Sequence, residues 1–226
     1  MSIGFGIMCF GDESYFTLAD EKIGFLSAQN FDIYVLTDNV DYFENSPVTV
    51  IEYDRKLKSY HDKMILVKKM MKIYDVTIIL DADQEINDWT FLSDLSTYEF
   101  KYGISYLENL QQRRGGPESL EYLLKENGEW DAYKRYLQNV YPNYGNLETI
   151  WEYMLIFNKN GFNSNFFKHY EKLQLLKEFS DINLNKNIIG PGEGASIQIA
   201  SKLSITDIQK DTELYNLIID KLRPNN

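Results

Sequence analysis

Four consecutive β-branched residues stand in the segment Asp75–Leu80, which shows no alternation of polar and apolar side chains. A strand with one solvated face would alternate, so this segment predicts a strand that is covered on both faces. Three further strands are predicted upstream, at Gly4–Phe10, Asp32–Thr37 and Val48–Tyr53. Buried strands of this kind are typical of the parallel sheets of α/β proteins.

Helical patterns separate these strands. An apolar stripe at helical spacing follows the first strand, between Tyr15 and Leu26, and a second amphipathic helix is predicted from Tyr60 to Tyr74. The order strand, helix, strand, strand, helix, strand predicts an α/β fold with a mixed, mostly parallel central sheet flanked by helices. Because ligands of such sheets bind beyond the carboxyl ends of the strands, we expect the functional site at that edge.

The second part of the chain has a less regular pattern. Strands are predicted at Tyr102–Leu107 and Tyr153–Phe157, and helices at Phe162–Phe179 and Ile208–Leu222. The sequence contains no internal repeat, no low-complexity tract and no convincing linker. We therefore expect a single domain that spans residues 1–226.

The composition excludes several classes of protein. A formal net charge of -11 argues against a nucleic-acid-binding protein, because such proteins present a basic field. The chain has one cysteine, Cys9, and two histidines, His61 and His169. An internal disulfide and a zinc site built from several Cys are therefore excluded, and two histidines nearly exclude a multi-histidine metal centre. A metal in this protein must be held mainly by carboxylates.

The N-terminal segment gives no sign of a targeting signal. Met1 and Ser2 lead directly into an apolar strand, without a basic leader or a small-residue cleavage site. The apolar run is far shorter than the ~20 residues that a membrane-spanning helix needs. We expect a cytoplasmic protein without a transmembrane segment, and the pattern leaves its oligomeric state open.

The segment Asp81-Ala82-Asp83 directly follows the fourth predicted strand. Residues i and i+2 of an extended segment point to the same side, with Cα atoms about 7 Å apart. Two carboxylates in that arrangement repel each other unless a cation lies between or beside them, and a hard divalent cation keeps sites free for water and substrate phosphates. The alternative interpretation is a turn with two exposed aspartates. The strand-end position favours a site for a hard divalent cation.

The segment Tyr74–Asp83 (YDVTIILDAD) resembles the corresponding segment of GT-A nucleotide-sugar glycosyltransferases, whose Asp-x-Asp motif binds manganese or magnesium. The upstream strands and the lysine-bearing helix also occur in the order of that family, so the resemblance covers about the first 90 residues. It implies a single GT-A domain, in which residues 1–97 bind the nucleotide-sugar donor and residues 98–226 form the acceptor side.

The resemblance also implies roles for individual residues. Phe10, Thr37 and Asp38 would contact the nucleotide base and ribose, and Asp81 and Ala82 would contact the donor, with Asp81 and Asp83 as metal ligands. Among the lysines and arginines between Arg55 and Lys72, Lys63 is expected to help hold the donor diphosphate. The others are expected on the solvated face of their helix.

Two glutamates are candidates for the general base of an inverting transfer. Glu193 lies in the turn Gly190–Gly194, where glycines permit close approach of a ligand. In GT-A enzymes an acidic residue late in the chain often has this role, and Glu152 competes with Glu193 for it. The other interpretation of Glu193 is a glutamate favoured by the dipole of a following helix.

We therefore expect a metal-dependent glycosyltransferase that moves a sugar from a UDP- or GDP-sugar to a hydroxyl of a saccharide or glycan. A non-catalytic module that binds carbohydrate or nucleotide-sugar is one alternative. A HAD-type phosphohydrolase is less favoured, because Glu85 stands where that class has Thr or Val. A nucleotidyltransferase would need a Gly-rich, Arg-bearing loop after the first strand, where this chain has Phe10–Ser14.

Overall fold

A computed structural model describes residues 1–53, 62–84, 86, 88–108, 131–147, 150, 152–179 and 193–222. The strands are β1 (Ile3–Cys9), β2 (Asp32–Thr37), β3 (Thr49–Glu52), β4 (Val76–Asp81), β5 (Ile104–Glu108), β6 (Glu152–Asn158) and β7 (Ile208–Lys210). The α-helices are α1 (Glu13–Ala28), α2 (Lys63–Met70), α3 (Leu92–Leu95), α4 (Asp131–Val140), α5 (Asn165–Phe179), α6 (Glu193–Ser204) and α7 (Thr212–Leu222). Short 3-10 turns lie at Asp41–Phe43 and Tyr144–Asn146.

The strands of the described chain form one seven-stranded sheet in the order β3-β2-β1-β4-β6-β5-β7. β1 is parallel to its neighbours β2 and β4, and β2 is parallel to β3. β6 is antiparallel to β4. The predicted α/β fold with a mixed, mostly parallel sheet is therefore confirmed.

Alternate residues of the central strands face opposite layers of helix, as the unalternating sequence of β4 predicts. Phe5, Ile7, Ile78 and Leu80 belong to a core cluster that includes the buried face of α1. On the other face, a methyl group added at Gly6 would meet Ile79 together with Met70 and Leu66 of α2. The sheet is thus covered by α1 on one face and by α2 on the other.

The chain divides into two compact units. The sheet unit comprises Met1–Glu108, Tyr153–Asn160 and Gln209–Asn226. The helical unit comprises Asn109–Glu152 and Gly161–Ile208, and its helices α5 and α6 pack against each other. The sheet unit is discontinuous in sequence because the chain returns to the sheet through β6 and β7. The prediction that residues 1–97 bind the donor and residues 98–226 form the acceptor side stays a prediction.

The predicted helix at Ile208–Leu222 is wrong at its start. Ile208–Lys210 is the strand β7, and the backbone N–H of Asp211 donates to the carbonyl of Tyr106 on β5 at 3.2 Å. The carboxylate of Asp211 then accepts from the N–H of Leu214 at 3.0 Å and caps α7. A capping Asp starts a helix at the residue after it, so α7 begins only at Thr212.

The helix predicted from Tyr60 to Tyr74 is shorter in the structure, because α2 ends at Met70 and a turn follows before β4. Its predicted N-cap, Ser59, and the basic residues Arg55, Lys56 and Lys58 lie outside the described residues. Helix α4 was not predicted, although Tyr133, Tyr136, Leu137 and Val140 stand at helical spacing. Among the described residues, no helix combines the length and the apolar character that a membrane span requires.

Candidate active site

The carboxyl ends of β2, β1 and β4 lie side by side, and most of the predicted donor residues follow these ends. Cys9 at the end of β1 is level with Thr37 at the end of β2, and Met8 is level with Asp81 at the end of β4. The chain leaves β1 for β2 on one side and later returns to β4 on the other side. Ligands of open α/β sheets bind at such a topological switch point.

Asp81, Ala82 and Asp83 do not form the extended segment that the spacing argument assumes. Asp81 is the last residue of β4, and the chain turns at Ala82 and Asp83. The Gln84 side chain accepts from the N–H of Asp81 at 3.1 Å, and the N–H of Gln84 donates to the Asp81 carbonyl at 3.3 Å. The turn, rather than the strand pleat, therefore orients the two carboxylates. Gln84 was missed because a glutamine after the motif has no distinctive signal.

Lys63 lies directly against the predicted metal-binding residue Asp81. It is the first residue of α2, three residues after the predicted start of this helix, and its side chain is only 2% exposed. Its Nζ lies 2.6 Å from Oδ1 of Asp81, whose side chain is 29% exposed. The alternation of β4 explains the pairing, because Asp81 follows Thr77 and Ile79 on the face covered by α2.

The other lysines on and after α2 behave as the sequence predicts. Lys68, Lys69 and Lys72 are all exposed to solvent, whereas Lys63 is buried. A buried ammonium needs a charged or hydrogen-bonding partner, and Asp81 supplies it. His61, which precedes this helix, lies outside the described residues.

The end of β2 presents one exposed and one buried polar residue. Asp38 is exposed, whereas Thr37 is fully buried and its hydroxyl accepts from the N–H of Asn39 at 3.1 Å. The side chain of Thr37 therefore shapes the turn that carries Asp38. Phe10 is buried and packs edge-on to Tyr53, with ring centroids 6.5 Å apart. The N–H of Tyr53 donates to the carbonyl of Thr37 at 2.9 Å, which ties this ring to the same edge.

The turn is hydrogen-bonded through Ala82 to Lys22, a residue that the sequence reasoning missed. Ala82 is 4% exposed, and its carbonyl oxygen accepts a hydrogen bond of 2.7 Å from Nζ of Lys22 on α1. Lys22 interrupts the apolar stripe that contains Ala19 and Ile23, and this interruption is the signal that could have identified it.

The surroundings of Cys9 disfavour its reactive thiolate form. Burial, followed by the negative charges of Asp20 and Asp38, raises the pKa of the Cys9 thiol to about 12, while Lys22 acts in the opposite direction. A thiol with a raised pKa stays protonated at neutral pH, and only the thiolate is a good nucleophile or metal ligand.

The donor set at the turn fits a hard divalent cation. Asp81 is partly exposed and Asp83 is exposed, and Mg²⁺-like ions use one or two carboxylates together with water and substrate phosphates. Within the described residues, no group of three or more His, Cys, Asp or Glu side chains could hold a metal. Asp81 and Asp83 remain the proposed protein ligands of the metal.

Glu193 and Glu152, the two candidate bases, both belong to the helical unit. Glu193 is the first residue of α6, and Glu152 is the first residue of β6; their backbone positions alone are described. Gly194 has a packing reason to be glycine, since a methyl group there would collide with the backbone oxygen of Ile150. That close backbone contact, rather than an approaching ligand, explains this glycine. Gly190 and Gly192 lie outside the described residues.

The sequence matches no protein-family model and no curated protein. The galactosyltransferase LgtC, solved with donor and acceptor sugar analogues, is 13% identical with a TM-score of 0.46, over 86% of this chain and 69% of LgtC. The bifunctional IspDF from Campylobacter jejuni is 11% identical with a TM-score of 0.42, and the match covers 93% of this chain and 49% of that protein. The 2-C-methyl-D-erythritol 4-phosphate cytidylyltransferase from Thermus thermophilus is 8% identical with a TM-score of 0.46, over 98% and 99% of the two chains.

Proposed function

We propose that this protein is a metal-dependent glycosyltransferase that uses a UDP- or GDP-sugar as donor and a hydroxyl of a saccharide or glycan as acceptor. One observation carries the proposal. Residues that suit a metal–diphosphate complex, namely the turn Asp81–Asp83 and the buried Lys63, stand at the carboxyl edge of the parallel strands, beside Phe10 and Asp38. This edge is where an α/β sheet binds its ligand.

The proposed reaction is a displacement at the anomeric carbon of the donor sugar. The acceptor oxygen forms a bond to that carbon, the bond from the carbon to the diphosphate oxygen breaks, and nucleoside diphosphate leaves. A divalent cation held by Asp81 and Asp83 would supply neutralising charge for the diphosphate. Lys63 adds a second positive charge beside Asp81. For an inverting transfer, Glu193 or, as its competitor, Glu152 would take the proton of the acceptor hydroxyl.

Nucleotidyl transfer is disfavoured by the connection after β1. Only Phe10, Gly11 and Asp12 separate β1 from α1, and Gly11 adopts a φ of 90°, which favours glycine. Asp12 accepts from the N–H of Ser14 at 3.4 Å and caps α1. This connection is shorter than the Gly-rich, Arg-bearing phosphate loop expected of a nucleotidyltransferase, which supports glycosyl transfer.

The product of the reaction tests the proposal. The protein is screened against UDP- and GDP-sugars in the presence of Mn²⁺, first by thermal shift, since a ligand that binds the native state raises the unfolding temperature. Each stabilising donor is then incubated with saccharide acceptors, and released nucleotide is quantified with and without EDTA. We expect metal-dependent release of UDP or GDP.

Other products would contradict the proposal in identifiable ways. Pyrophosphate released from a nucleoside triphosphate and a sugar phosphate would indicate a nucleotidyltransferase. Inorganic phosphate released from a sugar phosphate would indicate a phosphohydrolase. Donor binding without turnover in the presence of acceptors would indicate a non-catalytic binding module.

Lys63→Ala should weaken donor binding, whereas Lys69→Ala should not. A hydrogen bond to a charged group contributes roughly 1.5–3 kcal/mol, so the donor dissociation constant should rise by about 10-fold or more. Lys69 lies on the same helix but is exposed, which makes Lys69→Ala a control for the loss of one positive charge. Titration of both variants with the stabilising donor measures the effect. Equal losses would mean that the lysines act only as a diffuse positive field.

A further inference from the structure

Lys22 is a buried cation whose position is costly for the fold. Its side chain is 3% exposed, and its neighbours on the buried face of α1 are Ala19, Ile23 and Leu26. An ammonium group that is removed from water loses a large solvation energy unless protein oxygens replace the water. An apolar residue at this position would avoid that cost, so the lysine requires a specific explanation.

The hydrogen bonds of Lys22 connect α1 to the turn that carries the two aspartates. Its Nζ donates to the Ala82 carbonyl oxygen at 2.7 Å and to the Leu18 carbonyl of its own helix at 3.3 Å. Leu80 and Ala82 share the core cluster on the α1 face of the sheet, whereas Asp81 meets Lys63 of α2 on the opposite face. Lys22 of α1 and Lys63 of α2 therefore contact this segment from opposite faces of the sheet.

Lys22 acts on the same buried group as two nearby carboxylates. The charged groups that act on the buried Cys9 thiol are Asp20, Asp38 and Lys22. A positive charge at this edge reduces the repulsion between its carboxylates when they are brought close together.

We propose that Lys22 is a positioning residue that fixes the Ala82 carbonyl and thereby the direction in which Asp81 and Asp83 present their carboxylates to a divalent cation. This inference rests on the proposed function, because it takes the turn to be the metal site. Groups that orient metal ligands without touching the metal typically change metal affinity by about 10- to 100-fold when they are removed.

The variants are chosen to separate positioning from stability. Lys22→Met keeps an unbranched side chain one atom shorter but removes the charge and the donor, and Lys22→Arg keeps both charge and donor. The matched control is Asn158→Leu. Asn158 is 6% exposed and its Nδ2 donates to the Phe100 carbonyl at 2.7 Å, so it makes the same kind of buried bond. Asn158 pairs with Val76 at the amino end of β4, whereas the turn that carries the aspartates follows the carboxyl end of the same strand.

Two measurements are made on each purified variant. Hydrogen exchange reports the protection of the backbone N–H groups of Asp81 and Gln84, which hold the turn closed, and needs no metal. Electron paramagnetic resonance of free Mn²⁺ gives the metal affinity without any enzymatic assay. Thermal unfolding records the stability of each variant.

Lys22→Met should speed exchange at Asp81 and Gln84 and lower Mn²⁺ affinity about 10-fold or more. Lys22→Arg should bind Mn²⁺ more tightly than Lys22→Met. Asn158→Leu should lower the unfolding temperature while leaving Mn²⁺ affinity and exchange in the turn unchanged.

The inference is overturned if Lys22→Met exchanges like the wild type at the turn, or if Asn158→Leu loses as much Mn²⁺ affinity as Lys22→Met. If the wild-type protein itself binds no Mn²⁺, the proposed function is wrong. The exchange comparison then still decides whether Lys22 holds the turn.

Discussion

Asp83→Ala should abolish Mn²⁺-dependent binding of the donor nucleotide and leave the fold intact. Asp83 is exposed in the turn after β4, so its side chain contributes no core packing. Loss of one of two protein ligands would weaken binding of the cation whose positive charge the diphosphate needs. Removal of a comparable electrostatic group costs about 10²–10³ in turnover. Calorimetric titration with nucleotide and Mn²⁺, together with the unfolding temperature, measures both parts of the expectation.

Glu99→Ala is the matched control for Asp83→Ala. Glu99 is also an exposed acidic residue of the sheet unit. It lies four residues before Gly103, whose carbonyl accepts from the N–H of Asn158. Asn158 in turn pairs with Val76 at the amino end of β4. The variant Glu99→Ala removes the same charge near the amino end of β4, away from the turn, and should leave nucleotide binding unchanged. Undiminished turnover in Asp83→Ala, or equal losses in the two variants, would show that Asp83 is not a metal ligand.

Glu193→Gln should reduce sugar transfer by at least ~100-fold, the lower end of the effect of a general base. The amide keeps the size of the side chain but cannot accept the proton of the acceptor hydroxyl. Donor binding should survive, because the residues proposed to bind the metal and the nucleotide belong to the sheet unit. Steady-state transfer to an acceptor and donor titration measure the two effects separately.

Glu152→Gln is the comparison that assigns the base. Glu152 begins β6 and competes with Glu193 for the role. If Glu152→Gln is inactive and Glu193→Gln is active, the assignment is reversed. If both variants keep full activity, the transfer uses no carboxylate base at these positions and the inverting mechanism is wrong.

The strands were the part of the fold that the sequence predicted well. Asp32–Thr37 is β2 with the predicted bounds, and each of the other three early strands differs by one residue at both ends. Their apolar composition is dictated by burial on both faces, which leaves a clear pattern in the sequence. The strand β7 was missed, because three residues beside a helical pattern give too short a signal to separate.

The candidate site was predictable only where a residue carries its own local signal. Asp81 and Asp83 follow a recognisable strand, and Lys63 opens the helix that precedes it. The bond from Lys22 to Ala82 joins residues 60 positions apart, and neither residue type suggests the other. The turn closed by Gln84 also depends on how β4 ends rather than on the motif itself.

By itself, the sequence determined the α/β class, the parallel centre of the sheet and the position of two aspartates at the end of β4, because burial and strand periodicity act on neighbouring residues along the chain. Only the tertiary structure decided that Asp81 pairs with Lys63, that Thr37 is buried while Asp38 is exposed, and that Lys22 supports the turn from α1. These contacts arise when separate elements pack on the two faces of one sheet, and the partner of a buried charge is then set by spatial proximity rather than by spacing in the sequence.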